Sequence, residues 1–460
     1  MTADHVDEVR TGYATDGPAV ELGALVVDGD ALPDVPVKIG LSVLNRHALV
    51  AGATGTGKTK TLQLMAEQLS ANGVPTFLAD IKGDLSGLAC PGEPGEPGER
   101  ISARASDVGQ EWTPTASPVE LLSLGGAGHG VPVRATMTSF GPILLSKVLR
   151  LGDVQSSSLG LVFHFADKAG LPLLDVKDLR AVVQYLVSDD GKADLEGLGG
   201  LSTSTAGVIL RELVAFSDAG ADAFFGEPEF DTADLMRTTD DGRGVVTCLE
   251  LPSVQSQPVL FSTFLMWLLA DLFATLPEVG DIEKPKLVFF FDEAHLLFDD
   301  ASPEFLKALK ATASTFPHSD YDLEEVLTSV GTGEAVVTVL SETGAPTPVA
   351  WTRMRAPQSL MAPAPEADAR RIVAASPLLA EYGTAVDRDS AYERLAQRLK
   401  KASAPVDEPT APTSEPAPKA EPSVVERVVK SPAFRSFARS AATVVGREIM
   451  RGVFGVGRRR

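Results

Sequence analysis

Cysteine is nearly absent. Cys90 and Cys248 are the only two among 460 residues, so no disulfide framework is implied and a reducing compartment fits. An apolar h-region is also missing from the acidic start Met-Thr-Ala-Asp-His-Val-Asp-Glu, so no secretory signal and a cytoplasmic location are expected. Positive charge is scarce. The 41 Lys and Arg stand against 62 Asp and Glu, a net of −21, which argues against a generally sticky nucleic-acid binder. Long apolar runs are scarce too. Residues 259–276 raise a membrane question, but Asp271 and three hydroxyl residues interrupt them. At this borderline length a helix packed on a sheet is the better reading.

The charge that is present is uneven. Residues 424–460 hold nine Lys or Arg against Glu426 and Glu448, a net of +7. An acidic body with a basic tail suggests localised contact with an anion. Residues 401–423 hold six prolines among Ala, Glu, Thr and Ser and are expected to form a disordered linker. Beyond it, 424–456 is expected to form a basic amphipathic helix that could dock a membrane surface or a partner protein.

The strongest local feature is a phosphate-binding loop. Residues 48–53 read as a buried parallel strand, and its last residues enter the loop Gly52, Ala53, Thr54, Gly55, Thr56, Gly57, Lys58, Thr59, Lys60. Residues 61–69 then read as a helix. Strand, glycine loop and helix with the spacing G-x-x-x-x-G-K-T is the context the motif requires. Glycines let the backbone curl its N–H groups toward a phosphate, and the helix N-terminus adds partial positive charge. Lys58 is expected to reach the β- and γ-phosphates of ATP. Thr59 is expected to coordinate Mg²⁺.

Hydrolysis also needs an acid on the metal shell and a base that aligns water. Residues 287–291 form an apolar run that ends in Asp292 and Glu293. Asp292 is expected to hold the Mg²⁺ shell and Glu293 to polarise the attacking water. The tetrad Asp292-Glu293-Ala294-His295 has the letters of a helicase box, but no second set of helicase motifs accompanies it. His295 reads better as a packing residue. Asp80, Lys82 and Asp84 follow another apolar run, 75–80, at the strand end where α/β folds place their sites. Lys82 reaches phosphate or a neighbouring subunit, or the turn is merely solvated. Arg211, Arg237 and Arg243 are candidate arginine fingers, and spacing selects none of them.

These pieces predict an α/β fold with a mostly parallel sheet flanked by helices. Residues 1–110 would hold N-terminal strands and the first half of the core, with short strands at 19–27 and 41–44. Residues 90–100 repeat Pro-Gly-Glu and read as a mobile loop. Residues 111–240 would be a mainly helical insertion, with helices at 140–151, 156–169, 176–187 and 206–218. The core would resume over 241–356 with a strand at 244–251 and a hairpin of 334–340 with 346–353. Residues 357–400 would be a helical extension.

Several long motifs together resemble the bacterial HerA-like ATPases of the DUF853 type, in the HerA–FtsK group. They are Leu44-Asn-Arg-His-Ala-Leu-Val-Ala-Gly-Ala-Thr-Gly-Thr-Gly-Lys-Thr, Asp80-Ile-Lys-Gly-Asp-Leu-Ser-Gly-Leu-Ala, Phe224-Phe-Gly-Glu-Pro and Phe291-Asp-Glu-Ala-His-Leu-Leu-Phe. Ser376-Pro-Leu-Leu-Ala-Glu-Tyr-Gly-Thr-Ala-Val-Asp-Arg-Asp-Ser-Ala and Gly446-Arg-Glu-Ile belong to the same set. The resemblance implies a RecA-like P-loop NTPase core, ATP hydrolysis with Mg²⁺, hexameric homo-oligomeric rings and DNA translocation.

One departure from that pattern stands out. Family members follow the Asp-Glu strand with a helix, a further core strand ending in a polar sensor, and a segment with arginines. Here Asp299-Asp-Ala-Ser-Pro-Glu-Phe-Leu runs directly into Lys307-Ala-Leu-Lys-Ala-Thr-Ala-Ser-Thr-Phe-Pro, and no apolar β-run lies between Glu293 and Glu334. The lost strand would lie between the phosphate-loop strand and the Asp-Glu strand. Two expectations therefore compete: an ATP-hydrolysing motor, and a nucleotide-binding scaffold with impaired hydrolysis.

Overall fold

The computed structural model describes residues 3–195, 197–254, 258–276, 280, 282–292, 321, 330–341 and 344–402. The chain divides into two units, Met1–Tyr392 and Glu393–Arg460. Of the second, the described residues 393–402 are helical. The expected linker from 403 on, the basic tail and the junction after Asp299 lie outside the described residues, and 401–402 continue the last helix.

In chain order the strands are β1 (Ala19–Val27), β2 (Asp30–Gly40), β3 (Thr76–Asp80), β4 (Val119–Leu124) and β5 (Val131–Val133). They continue with β6 (Val246–Glu250), β7 (Val288–Phe291), β8 (Glu334–Val337) and β9 (Ala350–Met354). The helices are α1 (Ala3–Gly12), α2 (Lys58–Ala71), α3 (Glu96–Ser106), α4 (Met137–Val148), α5 (Asp153–Lys168) and α6 (Val176–Leu186). Then come α7 (Asp189–Asp194), α8 (Thr203–Asp218), α9 (Pro258–Thr275), α10 (Glu366–Ala375), α11 (Leu379–Tyr382) and α12 (Ala391–Ala402).

The core sheet has five strands in the order β5-β4-β6-β3-β7, and every pairing is parallel. Its central strands read Thr-Phe-Leu-Ala-Asp and Val-Thr-Cys-Leu-Glu, nearly buried throughout. Such unbroken apolar runs suit strands covered on both faces. A second, antiparallel sheet runs β2-β1-β9-β8. Its first hairpin turns at Asp28-Gly29, both at positive φ, 53° and 92°. A two-residue turn of that kind matches the twist of the strands it joins. The expected hairpin of β8 with β9 is present, and the bridge Leu340–Pro346 extends it.

One hydrophobic cluster links the two sheets through α2. It includes Leu25 and Val37 of the second sheet, Met65 and Leu69 of α2, and Leu78, Leu121, Cys248 and Phe290 of the core sheet. Gln68 ties α2 to β1 directly: its Oε1 accepts from Glu21 N at 2.8 Å and its Nε2 donates to Glu21 O at 2.9 Å. The helix that follows the phosphate loop is thereby wedged between the sheets.

The structure corrects several expectations. Residues 48–53 form no strand; 45–55 are all exposed, and Leu49 and Val50 are 54% and 37% exposed. A strand needs a neighbour to share its backbone hydrogen bonds, and among the described residues this run has none. Among the described residues no strand lies beyond β7, the last strand of the core sheet. Residues 41–43 form a 3₁₀ turn, not a strand. The segment after 113 holds β4 and β5 of the core sheet before its helices begin. The Pro-Gly-Glu stretch enters α3, whose proline occupies the first turn, where a missing N–H costs nothing. Residues 357–365 are irregular, with helix only from Glu366.

The helical region between β5 and β6 follows the expected helices within a few residues. Phe224 of that region packs edge to face on Phe264 and Trp267 of α9, which tilt against each other, with ring centroids 5.5–6.2 Å apart. On α9, Asp271 accepts from Thr232 Oγ1 at 2.7 Å. Among the described residues no helix is long and apolar enough to cross a membrane.

Asp178, fully buried on α6, fastens the end of the first unit. Its Oδ2 accepts from Leu174 N at 2.9 Å and from Asp175 N; its Oδ1 accepts from Tyr392 N at 2.9 Å and from Ser390 Oγ. Removing the carboxylate orphans four donors, and each buried orphan costs about 1–3 kcal/mol. Asp178→Ala is expected to lower stability by about 3 kcal/mol or more, read from urea unfolding. An unchanged midpoint would show that these donors find other partners.

Candidate functional site

The phosphate loop begins α2 at Lys58, with Gly57 as its N-cap at φ 106° and Gly55 at φ 83°. A Cβ at either would meet nothing within 4 Å, so glycine serves the backbone conformation here, not a tight contact. Lys58 Nζ donates to Gly52 O at 2.8 Å and Ala53 O at 2.9 Å. Thr56 Oγ1 donates to Ala53 O at 2.8 Å, and Thr61 Oγ1 to Gly57 O at 3.2 Å. The lysine thus sits on the loop's own carbonyls. Lys60 points elsewhere, donating to Gln63 Oε1 at 3.2 Å. Burial lowers its pKa against the opposing pull of Asp84, Asp80 and Asp292.

Asp292 immediately follows β7 and is 4% exposed. Thr59 Oγ1 lies 3.5 Å from Asp292 Oδ2. The two residues expected to hold the metal, 233 positions apart, therefore meet. Glu293 and His295 lie outside the described residues.

Asp80 ends the neighbouring strand and is fully buried. It accepts from Gly83 N at 2.7 Å, Asp84 N at 3.2 Å and Leu85 N at 2.7 Å. Burial raises its pKa against those bonds. It folds its own turn, so the turn is not simply solvated; Lys82 stands exposed on it. Arg237 is paired with Glu120 Oε2 at 2.8 Å, and Arg243 bonds Asp241 and Ala116 O. Both serve local contacts, and Arg211 lies on α8.

Two features were not foreseen. Gln63 and Glu67, on α2, hold the irregular segment before α10. Glu67 accepts from Gln358 N at 2.8 Å, Ser359 N at 3.2 Å and Ser359 Oγ at 2.9 Å. Gln63 Nε2 donates to Ser359 Oγ at 2.8 Å and Leu360 O at 2.9 Å. The second is Arg104 on α3, which donates to Thr332 O beside Gly333, and Gly333 N reaches Thr56 O of the phosphate loop at 3.4 Å. Separations of this size leave no local signal; only the polar identity of Gln63 and Glu67 within an otherwise apolar helix face hints at the first.

Burial pushes Glu67 up to about 7, and burial with Asp80 pushes Glu250 up to about 8, from an ordinary 4.5. The folded state then holds more protons than the unfolded chain between 4.5 and these values, so stability falls as pH rises through that window. The urea midpoint is expected to fall more steeply between about pH 5 and pH 8 in the wild type than in Glu250→Gln. Equal slopes would count against the raised value.

The family model described as helicase HerA-like C-terminal matches residues 27–307 and 302–460. A search of curated proteins returns no match. Among solved structures, the bacterial conjugative coupling protein TrwBdeltaN70, in its unbound monoclinic form, is similar at 14% identity and a TM-score of 0.41. That match covers 76% of this chain and 84% of that one. VirB4 of Thermoanaerobacter pseudethanolicus is similar at 12% identity and a TM-score of 0.38, covering 74% of this chain and 98% of that one.

Proposed function

Since the chain belongs to the helicase HerA-like C-terminal family, we propose that it binds ATP with Mg²⁺ and hydrolyses it slowly. The observation that carries the binding half is the approach of Thr59 to Asp292 at 3.5 Å, beside a loop that already seats an ammonium on two carbonyls. A hydroxyl and a buried carboxylate are hard oxygen donors of the kind Mg²⁺ takes. Residues Gly52, Ala53, Thr54, Gly55, Thr56 and Gly57 would turn their N–H groups to the phosphates, and Lys58 would leave its carbonyls for the β- and γ-oxygens. Thr59 and Asp292 would hold the metal, which when bound neutralises charge on the phosphates. Lys60 would brace the loop through Gln63.

The slow half rests on the missing strand. The residues ahead of the loop are exposed, and β7 closes the described core sheet. The family model matches in two parts, 27–307 and 302–460, and the sequence junction after Asp299 lies near their boundary, which supports the reading. Glu293 would still polarise water, without a sensor or an arginine to complete the site.

A second reading, a ring-forming motor on DNA, draws support from the family description. Calorimetric titration with ATP·Mg²⁺, followed by turnover with and without double-stranded DNA, separates the two. Binding with slow, DNA-indifferent turnover supports the first. Fast DNA-stimulated turnover replaces it with the second, and no binding removes both.

A further inference from the structure

The carboxyl ends of β3, β4 and β6 open into a cavity of about 280 Å³ lined by Lys82, Ser86, Leu121, His129, Glu250 and Glu366, among others. None of these belongs to the phosphate loop or to the Thr59–Asp292 pair. Glu250, the last residue of β6, stands opposite Asp80 of β3 in the strand register. Its Oε1 is buried and, among the described residues, has no hydrogen-bond partner. A buried acceptor without a donor is costly, so a ligand able to donate to it is favoured there.

The surroundings select the donor. Asp80 already accepts from three backbone N–H groups of its own turn and does not reach Glu250 in any hydrogen bond among the described residues. Its charge and burial both disfavour ionised Glu250. An anion would add to that repulsion, whereas a cation relieves it. At the mouth Glu366 Oε1 lies 3.7 Å from His129 Nε2, and both side chains are more than half exposed. The mouth is therefore open to solvent while the acceptor lies inside. The volume is at the small end for ligand sites, which run roughly 300–1,000 Å³, and suits one head group.

We propose that this cavity seats an ammonium or guanidinium head group, with Glu250 as its acceptor. The head group comes from a free amine or from a Lys or Arg side chain of a second copy of this chain. The proposal does not depend on ATP binding, because the cavity shares no residue with the phosphate loop.

Calorimetric titration of the full chain with agmatine, which carries both head groups, tests it. Saturable binding is expected, tightening as pH rises from about 6.5 to 8.5, because the cation favours ionised Glu250 over the opposing Asp80 and the neighbouring Lys82, His129 and Glu366. Glu250→Gln is expected to weaken it about 10- to 100-fold and to flatten the pH trend. Glu366→Gln, on the exposed mouth, keeps the fold and is expected to weaken it about two- to fivefold.

Sedimentation velocity distinguishes the sources. Binding with no change in oligomeric state supports a free amine. Agmatine dissociating an assembly that Glu250→Gln also fails to form supports a side chain from a second copy. The proposal falls if agmatine neither binds saturably nor dissociates an assembly, or if Glu250→Gln behaves as wild type. Should Glu250→Gln lose its near-UV circular dichroism, Glu366→Gln decides together with the wild-type pH trend. Unchanged affinity in both comparisons overturns the proposal.

Discussion

Lys58→Ala is expected to lower ATP affinity by about 10²–10³-fold and to leave no Lys58-dependent turnover. The lysine's present partners are two exposed carbonyls of its own loop, Gly52 O and Ala53 O. Exchanging them for phosphate oxygens converts two neutral acceptors into charged ones. Charged hydrogen bonds contribute about 1.5–3 kcal/mol each, and two of them, less the neutral bonds given up, leave about 3–4 kcal/mol, which sets the range. The same exposure predicts little loss of stability, since truncation orphans only carbonyls that water can reach. Calorimetric titration with ATP·Mg²⁺, paired with thermal unfolding, separates the two effects. Wild-type affinity in Lys58→Ala would mean that the glycine loop is a turn and nothing more.

What the sequence made legible was mostly local. The span of β1 could be read residue for residue, because an apolar run is punctuated by Asp-Gly. β3, β6 and β7 were visible as mostly apolar runs, those of β3 and β7 leading into acids. The trio Lys58, Thr59 and Asp292 was visible because motif spacing carries it; the structure brings Thr59 within 3.5 Å of Asp292, and their role toward nucleotide and metal is the proposal above. What failed depended on partners far along the chain. β4 hid because Glu120 and Ser123 break its apolar pattern; Glu120 is tolerated inside because Arg237 pairs with it at 2.8 Å. Residues 48–53 looked like a strand by composition, yet a strand exists only where a neighbour supplies hydrogen bonds. Glu67 and Ser359, 292 positions apart, gave no signal at all. The cavity beside Glu250 is a product of packing three strand ends under α10, which no window of sequence contains.

The second large effect is on rate. The full chain is expected to turn over ATP about 10³–10⁵-fold more slowly than a site supplied with an arginine, the factor such a residue contributes in phosphoryl transfer. The argument joins sequence to geometry. Arg237 and Arg243 hold Glu120, Asp241 and Ala116 O, so recruiting either to phosphate would break contacts that keep β4 and the approach to β6 in place. Arg104 reaches the loop at Thr332, one residue from Gly333, which touches Thr56. It is therefore a candidate to contribute a charge, and Arg104→Ala is expected to slow residual turnover further while leaving ATP affinity within about threefold. Single-turnover measurement with excess protein reads the chemical step without product release. A rate of about 1–100 s⁻¹, ordinary for phosphoryl transfer, would show that the site is complete and that the exposed segment ahead of the loop does not limit it. A slow rate that Arg104→Ala leaves unchanged would retain the missing-strand account and remove Arg104 from it.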